Sequence, residues 1–156
     1  MTALRNQKAA RSRLRFGRAW VGLTLALAVH VVDEAVNDFL SVYNPAVRAI
    51  RQRMGFFPMP TFTFDVWLAG LMTAIAVLLL LSIFAFRGAR WMRPLAFGFG
   101  ILMLANGTGH FLGSLYLGRA MPGVYSSPLL IACALYLLPA AVRAAQDSAG
   151  HSDALE

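Results

Sequence analysis

The stretch LALAVHVVDEAVNDFL, residues 25–40, places ionisable side chains inside an apolar run. At 100° per residue, His30, Asp33, Glu34 and Asn37 fall within about one third of a helix circumference, and Asp38 lies at the margin of that sector. An acid near the middle of a membrane helix costs about 2.5–3.5 kcal/mol on the insertion scale. Such residues persist where they face a protein interior, and they commonly mark a function. The stretch therefore predicts one wall of an intramembrane polar site.

A second polar set lies in ANGTGHFLGSLYLG, residues 105–118. Asn106 and His110 are four residues apart, so they stack on one helix face. Small residues let a neighbouring membrane helix approach closely. They recur here at Gly107, Gly109, Gly113 and Gly118. This segment is the predicted opposite wall of the same site.

Two histidines and a carboxylate suit either of two chemistries. His30, Glu34 and His110 could hold a divalent metal, zinc or non-haem iron, with water as a further ligand. The chain has no HExxH motif and no repeated ExxH pair. Without a metal, the same groups suit general acid/base chemistry in an apolar pocket. The sequence leaves the cofactor open between these two.

The predicted roles extend to residues around this set. We expect catalytic roles for His30, Glu34, Asn106 and His110, of which the two histidines and Glu34 are the predicted metal ligands. The predicted substrate-binding residues are Asp33, Asp65 and Tyr125. Asp65 has a second interpretation as a first-turn acid favoured by the helix dipole, and Tyr125 has one as an aromatic belt residue.

The composition indicates which elements position these side chains. A hydrophobic content of 58% with only 13% charged residues leaves too little polar surface for a soluble fold. Each bilayer crossing needs about 20 apolar residues. Four segments fit that length, at about 19–42, 64–86, 93–117 and 125–143. The predicted fold is therefore all-α, a polytopic membrane protein with four transmembrane helices plus a short interfacial helix.

The connecting segments complete the predicted organisation. A basic cytoplasmic segment covers residues 1–18, the transmembrane domain 19–145, and a disordered tail 146–156. The segment NPAVRAIRQRMGFFPMP predicts the interfacial helix, with Asn44 as its cap and Pro45 in its first turn. Three tryptophans near span ends are expected in the interfacial belt: Trp20, Trp67 and Trp91.

The charge of +7 comes from thirteen arginines and one lysine. These lie in short clusters between apolar runs, which is typical of membrane anchors rather than of a nucleic-acid surface. With the N-terminus inside, ten of the fourteen are cytoplasmic, so both termini are predicted to be cytoplasmic. Cys133 stands alone, which excludes a disulfide within one chain.

Three motifs together resemble a known family. They are HVVDE, the NGTGH segment two spans later, and MPGVY before the last span. The chain resembles the HXXEE family of small bacterial integral membrane proteins over most of its length. The resemblance implies the bacterial inner membrane and marks His30, Glu34, Asn106 and His110 as motif positions. Asp33 stands where the motif has its first Glu.

The leading functional hypothesis is a membrane enzyme that acts on a lipid or isoprenoid by acid/base or hydrolytic chemistry. One alternative is a proton- or cation-coupled module that binds or transports a small molecule. Another is a structural membrane subunit. The expected partners are membrane lipid and a lipophilic small molecule, with no nucleic acid. The small-residue faces also allow a homo-oligomer.

Overall fold

The computed structural model describes the backbone of residues 2–152 and the side chains of residues 7–144. This part of the chain is all-helical, which confirms the predicted fold class. The helices, in chain order, are α1 (Thr2–Val36), α2 (Leu40–Met54), α3 (Phe64–Arg87), α4 (Met92–Leu117) and α5 (Ser127–Ser152). The four segments long and apolar enough to cross a membrane are Gln7–Val36, Phe64–Arg87, Met92–Leu117 and Ser127–Ala144.

The first helix begins earlier and ends earlier than the first expected span. It runs without a break from Thr2, so the basic segment and the apolar segment form one helix. It ends at Val36 because Asp38 adopts a left-handed conformation, with φ of 54°. The amide of Phe39 then donates to the carbonyl of Glu34 at 2.9 Å, the hydrogen bond of a Schellman cap. Aspartate is one of the few residues that tolerate this conformation.

The interfacial helix α2 starts at Leu40 rather than at the expected Asn44 cap. Pro45 consequently lies inside the helix. Asn44 has a different partner: its amide donates to the carbonyl of Phe62 at 2.9 Å and accepts from the amide of Phe62 at 3.0 Å. The side chain of Asn44 therefore fastens the loop before α3 onto α2.

The spanning helices pack in the order α3, α1, α5, α4, with α1 between α3 and α5. Trp20 joins α1 to α3, donating from its indole nitrogen to the carbonyl of Leu78 at 2.8 Å. Trp20 and Trp67 are buried against other helices, and their depth in the membrane stays a prediction. Trp91 is 48% exposed, as a belt residue would be. Burial of an indole is favourable here because α3 supplies an acceptor for its N–H.

Glycines set the distance between α4 and α5. A Cβ on Gly107 would lie 2.7 Å from the Ile131 side chain and 3.3 Å from the carbonyl oxygen of Ser127. A Cβ on Gly100 would lie 2.9 Å from Leu138. Gly109 faces open space instead. The close packing of α5 against α4 therefore depends on the missing side chain of Gly107 and not on that of Gly109.

The last helix continues to Ser152. The disordered tail expected over 146–156 stays a prediction. Residues 153–156 lie outside the described part of the chain, as do the side chains beyond residue 144.

We predict that Gly107→Val destabilises the protein while Gly109→Val does not. A branched side chain at Gly107 must displace Ile131 or push α5 away, and such overpacking costs about 1–3 kcal/mol. Gly109 lies two residues away on the same helix and has room for the side chain. Thermal unfolding of both variants in the same detergent checks this. Equal unfolding temperatures would contradict the proposed packing of α4 on α5.

Candidate functional site

Three buried side chains from two helices form the centre of the site. His30 and Glu34 lie one turn apart on α1, and His110 lies on α4. Their exposed fractions are 0%, 5% and 3%. We call these three residues the His/Glu cluster. The cluster places ionisable groups inside the helix bundle, where water is scarce.

The side-chain atoms of the cluster converge on one point. Nε2 of His110 lies 3.1 Å from Oε1 of Glu34 and 3.2 Å from Nε2 of His30. Nε2 of His30 lies 3.6 Å from the same carboxylate oxygen. Two imidazole nitrogens and one carboxylate oxygen thus form a nearly equilateral triangle.

Three atoms with lone pairs converge in this way only when a hydrogen-bond donor or a cation lies among them. Either a proton is shared, as when His110 donates from Nε2 to Glu34, or a cation lies at the centre. The three distances match the edges of a tetrahedral zinc site, which are about 3.4 Å for bonds of about 2.1 Å. One nitrogen or oxygen from each of the three residues is also the donor set that zinc and non-haem iron prefer. The residues present therefore fit a divalent metal.

Ser126 determines which nitrogen of His30 carries the proton. Its Oγ donates to Oδ2 of Asp33 at 2.7 Å and lies 2.8 Å from Nδ1 of His30. With the hydroxyl proton directed at the carboxylate or at the Gly123 carbonyl, the network assigns to His30 the tautomer that donates from Nδ1 to Oγ. Nε2 of His30 then presents its lone pair to the cluster. Metal-bound histidines commonly have their other nitrogen held in this way.

Asp33 acts at the start of α5. Its Oδ2 also accepts from the backbone amide of Ser126 at 2.8 Å, just before α5 begins at Ser127. A carboxylate is favoured there by the helix dipole and by the unpaired amides of the first turn. Its other oxygen accepts from the Asn37 amide at 2.8 Å. Asp33 therefore joins α1 to α5 and faces Ser126 rather than the centre of the cluster.

The turn before α5 lies against both imidazoles. Gly123 has a φ of +87°, and a Cβ there would come within 2.7 Å of the His110 ring and 3.0 Å of the His30 ring. Its carbonyl accepts from the hydroxyl of Ser127 at 2.7 Å. The absence of a side chain at Gly123 thus lets the turn close over the two histidines.

Asn106 is the fourth polar side chain at the centre. Its amide group lies 3.2 Å from Nε2 of His30. The nitrogen and oxygen of an amide are assigned from the hydrogen-bond network, and a flip of the group presents the oxygen instead. Asn106 can therefore donate to a metal-free His30 or turn an acceptor toward a bound ion and its water.

The family described as "Protein of unknown function with HXXEE motif" matches residues 20–137. The chain belongs to this HXXEE family. No curated protein and no solved structure matches the chain. The matched region contains the His/Glu cluster, Asn106, Ser126 and Gly123.

The structure brings together His30, Glu34, Asn106 and His110, the four HXXEE motif positions named from the sequence. Two of the predicted substrate-binding residues do not lie with these four side chains. Asp65 lies exposed in the first turn of α3, and Tyr125 is 71% exposed. Asp38 is exposed and ends α1. Substrate contacts by Asp33, Asp65 and Tyr125 stay predictions.

Two positioning residues were not predicted from the sequence. The sequence motifs give Ser126 no role, and Gly123 enters only as part of the MPGVY motif. Ser126 lies 93 residues from Asp33 and 96 from His30, so no local spacing indicates its role. The MPGVYSS segment was the one available signal, because a glycine three residues before a pair of serines is typical of a turn.

We predict that Ser126→Ala weakens metal binding by about 10- to 100-fold, the usual effect of removing a group that holds a metal-bound histidine. Without Oγ, Nδ1 of His30 loses its acceptor and the ring is no longer fixed. Ser127→Ala is the matched control, because Ser127 is also buried and its hydroxyl bonds only the Gly123 carbonyl among the described contacts. Zinc titration by calorimetry measures both. Equal affinities in the two variants would contradict the assigned role of Ser126.

Proposed function

We propose that this HXXEE protein is a metal-dependent membrane enzyme that acts on a lipophilic substrate by hydrolytic or acid/base chemistry. The observation that carries the proposal is the convergence of three donor atoms, 3.1–3.6 Å apart, from His30, Glu34 and His110. Buried ionisable groups inside a membrane bundle are costly and rarely serve packing alone. A hydrophobic substrate follows from the location of the cluster between membrane-spanning helices.

Each residue of the site has a distinct task in this proposal. His30, Glu34 and His110 hold the ion, and Ser126 with Asp33 keeps His30 in the Nδ1–H form. A divalent ion bound there supplies Lewis acidity and lowers the pKa of a bound water. Asn106 orients a polar atom of the substrate or that water. The buried surroundings exclude bulk water, which strengthens each of these interactions.

The metal content of the wild-type protein and of three variants tests whether the His/Glu cluster binds a metal. Protein purified without chelators is predicted to hold about one zinc or iron per chain, measured by elemental mass spectrometry. His110→Ala and Glu34→Gln should lose at least ten-fold in occupancy. Asp65→Asn, an exposed acid on α3, is the control and should keep it. Zinc at 100 times its dissociation constant should stabilise the folded protein by about 2.7 kcal/mol.

The same variants test the activity. Incubation of the metal-loaded protein with a total membrane lipid extract should change one lipid class, followed by mass spectrometry, and Glu34→Gln should abolish the change. Wild-type protein that takes up neither zinc nor ferrous iron would contradict the proposal. It would favour the proton- or cation-coupled binding module or the structural subunit.

We also propose that the protein lies in the bacterial inner membrane with both termini in the cytoplasm. Four spans return the chain to its starting side, and ten of the fourteen basic residues then lie inside. In Cys133→Ala protein, a cysteine introduced at Gln52 of α2 should react with an impermeant maleimide in intact cells. A cysteine at Ser12 should react only after lysis. The reverse pattern would contradict this orientation.

A further inference from the structure

An apolar cavity of about 290 Å³ lies beside the His/Glu cluster, between the start of α3 and the segment around α2. Its volume is near the lower limit of ordinary ligand pockets. The cavity is lined by Phe39, Tyr43, Phe62, Val66, Trp67, Gly70 and Leu71. None of these side chains carries a charge, so the cavity suits a hydrocarbon group.

Hydrogen bonds fix the wall that α2 and its following loop contribute. Tyr43 donates from its hydroxyl to the carbonyl of Pro60 at 3.0 Å, and Asn44 pairs with the backbone of Phe62. Arg51 donates to the carbonyl of Met59 at 2.6 Å. Partial burial raises the pKa of the Tyr43 hydroxyl, so it stays a neutral donor. Hydrogen bonds therefore hold α2 and the following loop in place, so the cavity keeps its shape without a bound molecule.

Two of the residues that line the cavity lie on the exposed surface of α3. Val66 is 62% exposed, and Gly70 one turn later is also exposed. Both belong to the membrane-spanning segment Phe64–Arg87. A lipophilic molecule dissolved in the bilayer can therefore reach the cavity past these residues.

Phe39 connects the cavity to the cluster. Its ring lines the cavity and lies 6.1 Å from the ring of Trp67, measured between centroids. The same ring lies 5.7 Å from the imidazole of His110, measured between centroids. One aromatic side chain thus contacts both the apolar cavity and the His/Glu cluster.

We propose that this cavity binds the hydrocarbon tail of the lipophilic substrate, entering from the bilayer past Val66 and Gly70. The inference rests on the proposed function and assigns the substrate class of that same site. Phe39 sits where the tail meets the polar head, so the head is directed toward His110 and the metal. The tail is a fatty acyl or an isoprenoid chain, which share this chemistry.

Gly70 offers a way to fill the cavity without touching the cluster. A Cβ at Gly70 meets no atom within 4 Å, so Gly70→Leu places its side chain in open space. Gly98 on α4 is the matched control, because it is also an exposed helical glycine with nothing within 4 Å and does not line the cavity. Val66→Phe narrows the mouth at an exposed position and serves as a second blocking variant.

The test is photolabelling in phosphatidylcholine nanodiscs with two probes, palmitate and farnesol, each carrying a diazirine at the end of its chain. Peptide mass spectrometry locates the label, and an excess of the same compound without diazirine measures saturable binding. We expect saturable labelling of Phe62–Leu71 by one probe, which identifies the type of tail. Gly70→Leu and Val66→Phe should reduce it at least five-fold, and Gly98→Leu should leave it unchanged.

Zinc occupancy of every variant separates this inference from the proposed function. Labelling that the competitor does not reduce, or that both blocking variants retain, would overturn the cavity as a tail site even in metal-loaded protein. Saturable labelling in wild-type protein that binds no metal would support the tail site and contradict the proposed metal-dependent reaction. Equal zinc occupancy in the Gly70 and Gly98 variants shows that the cluster is intact when labelling is lost.

Discussion

Buried polar groups within a membrane bundle must find partners in the protein, and this constraint explains the arrangement around His30. The bilayer offers no water to compensate an unpaired group, so each such group would otherwise cost several kcal/mol. His30 meets the constraint on both sides of its ring, with Ser126 at Nδ1 and the cluster at Nε2. Helices α1 and α4 make few direct contacts, and the polar groups join them together with the ring contact between Trp20 and Phe99. Helix α5 packs against both α1 and α4 and so holds the two walls of the site together.

The approach of α5 depends on two glycines at different points. Gly107 lets α5 come close to α4, and Gly123 lets the preceding turn cover both imidazoles. Asp33 then fixes the beginning of α5 by accepting from the amide and hydroxyl of Ser126. Because Ser126 stands just before α5, the position of α5 determines which nitrogen of His30 carries the proton. A metal ion would strengthen the same arrangement, because its ligands come from both α1 and α4.

Much of this structure could be predicted from the sequence because it depends on local pattern. Apolar runs predicted four spans, and helical spacing predicted that His30 and Glu34 share a face, as do Asn106 and His110. Long-range partners could not be predicted in the same way. The tie from Asn44 to Phe62, the indole bond of Trp20 and the role of Ser126 each join residues 18 to 96 positions apart. The sequence did not predict that α1 ends at Val36, because a single aspartate in the left-handed conformation, Asp38, leaves no pattern in composition.

X-ray absorption at the metal edge of the zinc-loaded protein tests the central claim, that His30, Glu34 and His110 share one ion. We predict scattering from two imidazoles and from oxygen at about 2.0–2.2 Å, the distances of a zinc site with two histidines and a carboxylate. Ser126→Ala should disturb the imidazole signal more than Ser127→Ala. A shell of oxygen alone, or one with a single imidazole, would show that the three residues do not act as a common site.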